Sequence, residues 1–366
     1  MRCKLAAKHR DATPDALLRQ WRHPSSSDAR QHVVLALGMT SAPHHHGSRD
    51  RVRATVLSAP CVLSGDVVFR FLVGFSACSP PLDWRKDDML IMDDVLDGRG
   101  RGKQCSCLEK TYAWFRHAVW RWPLASFYGK TEDDAYVNLQ QLLHDLNRKR
   151  VRDAPALLYG LLALYASPPL ESYSAVGCFL GEMDAQAWAL HPTRQFKPSL
   201  QFDPQCRTNA PAPFPTGPLA ILSSGLARSL FVSCGHVRAW FEQMRARNRA
   251  ANGCSRSHSL LSSTMEGTSC DGAFAGWFVS CKSNVTLASM TWTKSHWHWT
   301  ADNRKDGFVP PDPTSIVVHG LKQDDDRTWT KVQPDYHAWY WRKCGAYGCH
   351  SSRYHNPVLN SSYEAL

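Results

Sequence analysis

A short apolar strand that runs into three consecutive carboxylates constrains this chain more than any other feature. The run from Pro123 to Tyr128 reads as a buried strand and breaks at Gly129. Lys130 and Thr131 follow, and then Glu132, Asp133 and Asp134. Beyond the acids, Ala135, Leu139, Leu142 and Leu143 recur at helical spacing, which predicts an amphipathic helix over 136–148. Strand, acidic tip and helix in that order make an α/β unit, and ligands in α/β proteins bind at the carboxyl ends of strands. Carboxylates at such a place suit a hard divalent cation, above all one already partnered by a diphosphate. A plainer reading competes with this one. Thr131 could cap the helix and the acids could fill its first turn, where the helix dipole favours negative charge.

Strand and helix patterns alternate along the chain. Strands are expected at Val33 to Leu37, Asp66 to Gly74 and Asp88 to Met92, and a helix from Leu108 to Trp122 leads into the acidic stretch. Ser48 to Thr55 reads as a helix start with Ser48 as its cap. Arg49 and Arg53 on it lie close to the first strand and suit a diphosphate, since guanidinium binds phosphate through two parallel hydrogen bonds. The competing reading of both is a solvated helix face. His44, His45 and His46 are adjacent, and three consecutive residues do not easily face one ion, so they read as a solvated loop. An apolar run from Ala156 to Tyr165 precedes a Pro-rich segment ending at Pro215, which reads as surface loops. A helix is expected over Ser224 to Ser233, and a strand from Ser315 that ends in His319.

Composition narrows the function. With 43% hydrophobic and 20% charged residues among 366, the chain is globular with a real core. A net charge of +11 suits anionic partners, and no basic run with interleaved aromatics resembles a nucleic-acid module. Thirteen cysteines without paired zinc spacing point to disulfides and an oxidising compartment. No apolar run is long enough to span a bilayer as a helix.

Lys130-Thr-Glu-Asp-Asp-Ala-Tyr-Val-Asn-Leu139, set after an aromatic strand, resembles the Lys-Thr-Asp-Asp-Asp-x-Phe-Val-Asn signature of the β-1,3-galactosyltransferase and fringe family, with Glu132 in place of the first Asp. Other blocks follow the family's order. Arg49, Val52, Arg53 and Thr55 hold the places of Arg-x-x-Ile-Arg-x-Thr-Trp, and Val56 replaces the Trp. The strand ending in Gly74 matches Phe-Leu-x-Gly, and Asp97 and Lys103 fit an Asp followed by a Lys-bearing helix. Pro213 to Ser223 is similar to the Pro-Tyr-x-x-Gly block, with Gly217 letting the backbone approach the sugar donor. In Glu266 to Phe278, Asp271 stands at the second acidic position and Cys270 replaces the first. As read from the residues alone, Asp271 also fits a helix N-cap.

The resemblance implies a GT-A type α/β fold, a central mostly parallel mixed sheet flanked by helices. It implies a catalytic domain over 31–322, which leaves 1–30 as a flexible basic tail and 323–366 as a C-terminal extension. It implies Mn²⁺-dependent transfer of a hexose, galactose by the family's habit, from a UDP-sugar to a glycan or glycoprotein hydroxyl with inversion, forming a β-1,3 linkage. Glu132, Asp133, Asp134 and His319 are then the expected metal ligands, Arg49, Arg53, Lys130 and Gly217 the donor-binding residues, and Asp271 the general base. The family's place is the Golgi lumen, on the membrane, although no anchor is visible in this chain; nucleic acid is not an expected partner. Two other classes compete. One is a catalytically decayed glycan-binding or scaffold relative, favoured by Glu132, Cys270 and Val56. The other is a metal-dependent phosphoesterase, which would want more His and Asp ligands around two metals.

Overall fold

The computed structural model describes residues 33–75, 86–97, 103–166, 178–182, 212–250, 277, 281, 285–290, 295–296 and 315–319. Within them the strands are β1 Leu35–Ser41, β2 Val67–Phe75, β3 Met89–Leu96, β4 Phe127–Glu132, β5 Ala135–Val137, β6 Leu157–Ala166, β7 Cys178–Glu182, β8 Ala212–Ser223, β9 Thr286–Ser289, β10 Ser295–His296 and β11 Val317–His319. The helices are α1 His46–Thr55, α2 Pro60–Leu63, α3 Lys103–Arg121, α4 Leu139–Leu146, α5 Lys149–Arg152, α6 Ser224–Arg228 and α7 Gly235–Ala250, with a π turn at Ser229–Ser233 between the last two.

An eight-stranded sheet carries the order β3-β2-β1-β4-β8-β6-β7, with β9 beside β6. The half built from β3, β2, β1 and β4 is parallel. β8 is antiparallel to both β4 and β6, and β7 is antiparallel to β6. This is the mixed α/β sheet flanked by helices that a GT-A type fold requires.

Alternation along the strands explains the layering, because successive side chains leave a strand on opposite faces. Leu35, Leu37 and Met39 of β1 join one core with Val52 of α1 and Leu139, Leu142, Leu143 and Leu146 of α4. Ala36 joins the other, with Trp114, Phe115 and Ala118 of α3, Leu226 of α6 and Phe241 of α7. β8 divides the same way: Leu219 and Ile221 enter the first core, Ala220 and Leu222 the second. Gly38 is what lets α3 lie so close to β1: a Cβ there would come within 2.6 Å of the Trp114 ring. Trp114 Nε1 in turn donates to Gly129 O at 2.7 Å, pinning α3 across β1 and β4.

The strand order reverses between β1 and β4. From β1 the chain moves outward to β2 and β3, then returns through α3 to β4 on the other side of β1. In open α/β sheets the crevice outside the carboxyl ends at such a reversal is where ligands bind. The acids therefore stand at the tip of β4, at the switch point.

Several expectations are corrected in detail. The helix after the acids begins at Leu139, not Tyr136. Ala135–Val137 is a strand that pairs antiparallel with β11, and Asn138 caps α4 by accepting from Gln141 N at 3.1 Å. Thr131 is not a helix cap: its Oγ1 donates to Pro218 O at 2.6 Å, and its backbone pairs with Met39 and Leu219. The acids are thus a strand end and a turn, not the first turn of a helix. Ser48 lies buried inside α1, whose N-cap is His45. The Pro-rich stretch is already strand by Ala212; in β8, Pro213 pairs with Leu164, and Pro215, opposite Leu162, borders the register shift between Gly160 and Leu162, the kind of place a strand tolerates proline.

Candidate functional site

The site is built on the last residues of β4. Lys130 and Glu132 are two apart in a strand and share a face, so the Lys130 Nζ reaches Glu132 Oε1 at 2.9 Å. Lys130 is fully buried, while about a quarter of the Glu132 side chain is exposed. The pairing of β11 with β5 sets His319 opposite Ala135, next to Asp134. His319 Nε2 lies 3.3 Å from Glu132 Oε2 and 3.2 Å from Asp134 Oδ1. Glu132, Asp134 and His319 thus bring one ligand atom each to within 4.8 Å of one another.

Asp133, between the two acids, faces the β1 side. Its Oδ2 accepts from Ser41 Oγ at 2.6 Å and contacts His45 Nδ1 at 2.8 Å. Ser41 Oγ receives Arg49 NH1 at 2.9 Å, and the same guanidinium donates to Ala42 O and Pro43 O. Behind this layer Lys110 Nζ donates to Ser41 O at 2.8 Å and pairs with Asp97 Oδ2 at 2.6 Å. Asp97 Oδ2 also accepts from Gly74 N. A buried polar network therefore ties the carboxyl ends of β1, β2 and β3 to the acidic turn.

The electrostatics match this arrangement. Burial pushes the Glu132 carboxyl up, but Lys130 and His319 beside it outweigh burial and hold it down to about 2. Burial works against a proton on His319, yet the carboxylates of Asp134 and Glu132 raise it to about 10. Burial draws the Lys110 ammonium below its ordinary range, opposed by Asp97 and Asp133. Without a cation, the His319 proton holds the two acids together. Two carboxylate oxygens and one imidazole nitrogen form a donor set that suits manganese and other borderline-to-hard divalent cations. Such a cation competes with that proton for the imidazole. The residues present fit the metal that the sequence led us to expect.

The expected site residues separate into groups. Glu132, Asp134 and His319 come together; Asp133 is adjacent but turned toward β1. Lys130 stands behind Glu132. Arg49 is fully buried and holds the loop after β1. Arg53 makes a two-pronged pair with Asp88 at the start of β3, at 2.6 and 2.9 Å, rather than joining the strand-end cluster. Gly217 lies in β8, just before the Pro218 carbonyl that receives Thr131. Asp271, with Glu266, Cys270 and Gly276, lies outside the described residues, as do the segments 1–30 and 323–366. Two contributors were missed: Lys110, which meets Asp97, and Ser41, whose hydroxyl donates to Asp133. His45 is not simply solvated loop, since it reaches Asp133.

A sequence model described as Galactosyltransferase matches residues 48–234, more than half of the chain. The chain belongs to the galactosyltransferase family. The part matched to the galactosyltransferase family contains Asp97, Lys110, the acidic turn and Gly217, whereas His319 and Asp271 lie beyond it. No individual curated protein matches the chain. Among solved structures, one similar chain is a mannose-1-phosphate geranyltransferase from Thermus thermophilus, at 13% identity and a TM-score of 0.29, with 71% of this chain and 75% of that one covered. At that TM-score the likeness carries no argument; the fold assignment rests on the strand order and the family. Among the described residues no helix is long and apolar enough to cross a membrane.

Proposed function

We propose that this galactosyltransferase-family chain is an inverting, manganese-dependent hexosyltransferase that moves galactose from UDP-galactose to a glycan or glycoprotein hydroxyl, forming a β-1,3 linkage. The observation that carries the reading is the convergence of Glu132, Asp134 and His319, from distant parts of the chain, at the strand-order reversal. Glu132, Asp134 and His319 would hold the metal, which when bound supplies charge stabilisation for a departing diphosphate. Lys130 keeps Glu132 ionised and in place. Gly217, in β8 beside β4, gives the donor a close backbone approach. Asp271, at the family's acidic position, takes the proton of the acceptor hydroxyl. The acceptor oxygen attacks the anomeric carbon from the face opposite UDP; the new C–O bond forms as the bond to the β-phosphate oxygen breaks.

The Cys234–Cys281 disulfide supports placing this reaction in an oxidising lumen, the Golgi by the family's habit. The test is galactose transfer from UDP-galactose to β-linked sugar acceptors with Mn²⁺ and with a chelator. Transfer that needs the metal and inverts the anomeric centre supports the reading. No turnover of any UDP-sugar in the presence of Mn²⁺ favours a decayed, glycan-binding relative.

A further inference from the structure

We infer that His45 is a positioning residue for the metal site: through Asp133 it fixes the acidic turn so that Glu132 and Asp134 both face His319. This rests on the reading of those three side chains as metal ligands. The turn of Asp133 and Asp134 has only β4 before it and the three-residue β5 after it. Its orientation is set by the middle residue, whose side chain goes the opposite way from its two neighbours. Asp133 Oδ2 is gripped from the β1 side by Ser41 Oγ at 2.6 Å and His45 Nδ1 at 2.8 Å.

Ser41 is itself anchored, because the buried Arg49 donates to its hydroxyl and to the carbonyl of Ala42. His45 occupies the N-cap place of α1 but makes no side-chain capping bond there. Its ring nitrogen reaches the acidic turn instead. The His45 ring is about a quarter exposed and the Asp133 side chain about an eighth, so water replaces this bond poorly. Removing the imidazole leaves Asp133, among the described residues, with the Ser41 hydrogen bond and the more distant charge of Lys110, between two further carboxylates, and the turn freer to pivot away from His319. A group hydrogen-bonded directly to a metal ligand is worth about 10- to 100-fold in metal affinity; His45 acts one residue further out, through Asp133, so the low end of that range is the expectation.

The test is Mn²⁺ alone, titrated into the full chain and followed by the electron paramagnetic resonance signal of free Mn²⁺. Wild type, His45→Ala, His45→Asn and Asp134→Ala are compared, with thermal midpoints of each. In His45→Asn the amide nitrogen takes the place of Nδ1, one bond from Cγ, and still donates to Asp133. We expect His45→Ala to bind roughly 10-fold more weakly with its midpoint nearly unchanged, and His45→Asn to stay within about 3-fold of wild type. Equal affinity in His45→Ala and wild type overturns the inference, and so does His45→Asn as weak as His45→Ala. Wild type that binds no Mn²⁺, or binds it as well in Asp134→Ala, overturns the metal-site reading itself, which is a different result.

Discussion

Asp97→Asn tests the polar network beneath the acidic turn. Asp97 and Lys110 are a buried pair at 2.6 Å, with side chains only 5% and 4% exposed. Asn keeps an oxygen for the Gly74 N–H, so the substitution removes charge and little else. Lys110 then faces two options. It stays charged without its partner, which costs about 3–5 kcal/mol for a broken buried pair. Alternatively it gives up its proton, which at pH 7 costs about 4.6 kcal/mol for a lysine of ordinary pKa near 10.4. Either way the loss is about 3–5 kcal/mol, or roughly 6–10 °C at about 2 °C per kcal/mol.

The two options separate by pH. If native Asp97→Asn holds Lys110 neutral while the unfolded chain keeps the proton, raising the pH favours the native state. The deficit against wild type then shrinks by up to about 1.4 kcal/mol per unit between pH 7 and 10. Asp97→Asn combined with Lys110→Met is expected to recover most of the loss, because replacing both members of a buried pair by neutral groups is close to neutral. Thermal and urea unfolding across that pH range are the assays. A loss below about 1 kcal/mol, or a double variant no more stable than Asp97→Asn, refutes the reasoning.

Three further outcomes are expected. Burial, helped by Arg121 and Arg70, holds His117 down to about 3 from 6.5, so the unfolded chain takes up a proton that the native chain refuses. Stability should therefore fall as pH drops from 6.5 toward 3, by up to about 4–5 kcal/mol, and His117→Leu should flatten this part of an acid-unfolding curve. Cys234→Ser opens a disulfide across a separation of 47 residues, and a loop of that size corresponds to about 4 kcal/mol, measurable by urea unfolding with and without reductant. Asp271→Asn should lower kcat by about 10²–10⁴-fold with UDP binding nearly unchanged in calorimetry, as expected for a lost general base; joint loss of binding would make Asp271 a structural or donor-binding residue.

That an acid-tipped strand exists was legible because an apolar run followed by consecutive acids is a short-range signal, but its bounds were not: Pro123 and Leu124 form a turn, the strand begins at Phe127, and Gly129 does not break it but lies mid-strand, paired with Leu37 and Ile221. What followed the acids was not legible either. Ala135 to Val137 suit a helical face as well as a strand, and what decides is pairing with Val317 to His319, far along the chain. Lys110 was missed because helix phase is not read from a motif: α3 begins at Lys103, and Lys110, two turns in, is brought to Asp97. Among the adjacent histidines, the rule that three in a row cannot face one ion held no information about a single one reaching Asp133. Arg53 showed the right residue type for phosphate, yet Asp88 already engages it, a partner no spacing rule announces. His319 was found only through the family pattern, since a lone histidine at a strand end has no local signature.

The most direct test of the central claim is calorimetric UDP binding in the presence and absence of Mn²⁺, by wild type and by Asp134→Ala. Asp134 is a quarter exposed and sits in a turn, so the fold should survive its truncation. The account predicts that UDP binding by wild type depends on Mn²⁺ and that Asp134→Ala abolishes it at an unchanged thermal midpoint. UDP affinity that is equal in the two proteins with Mn²⁺ present would contradict it.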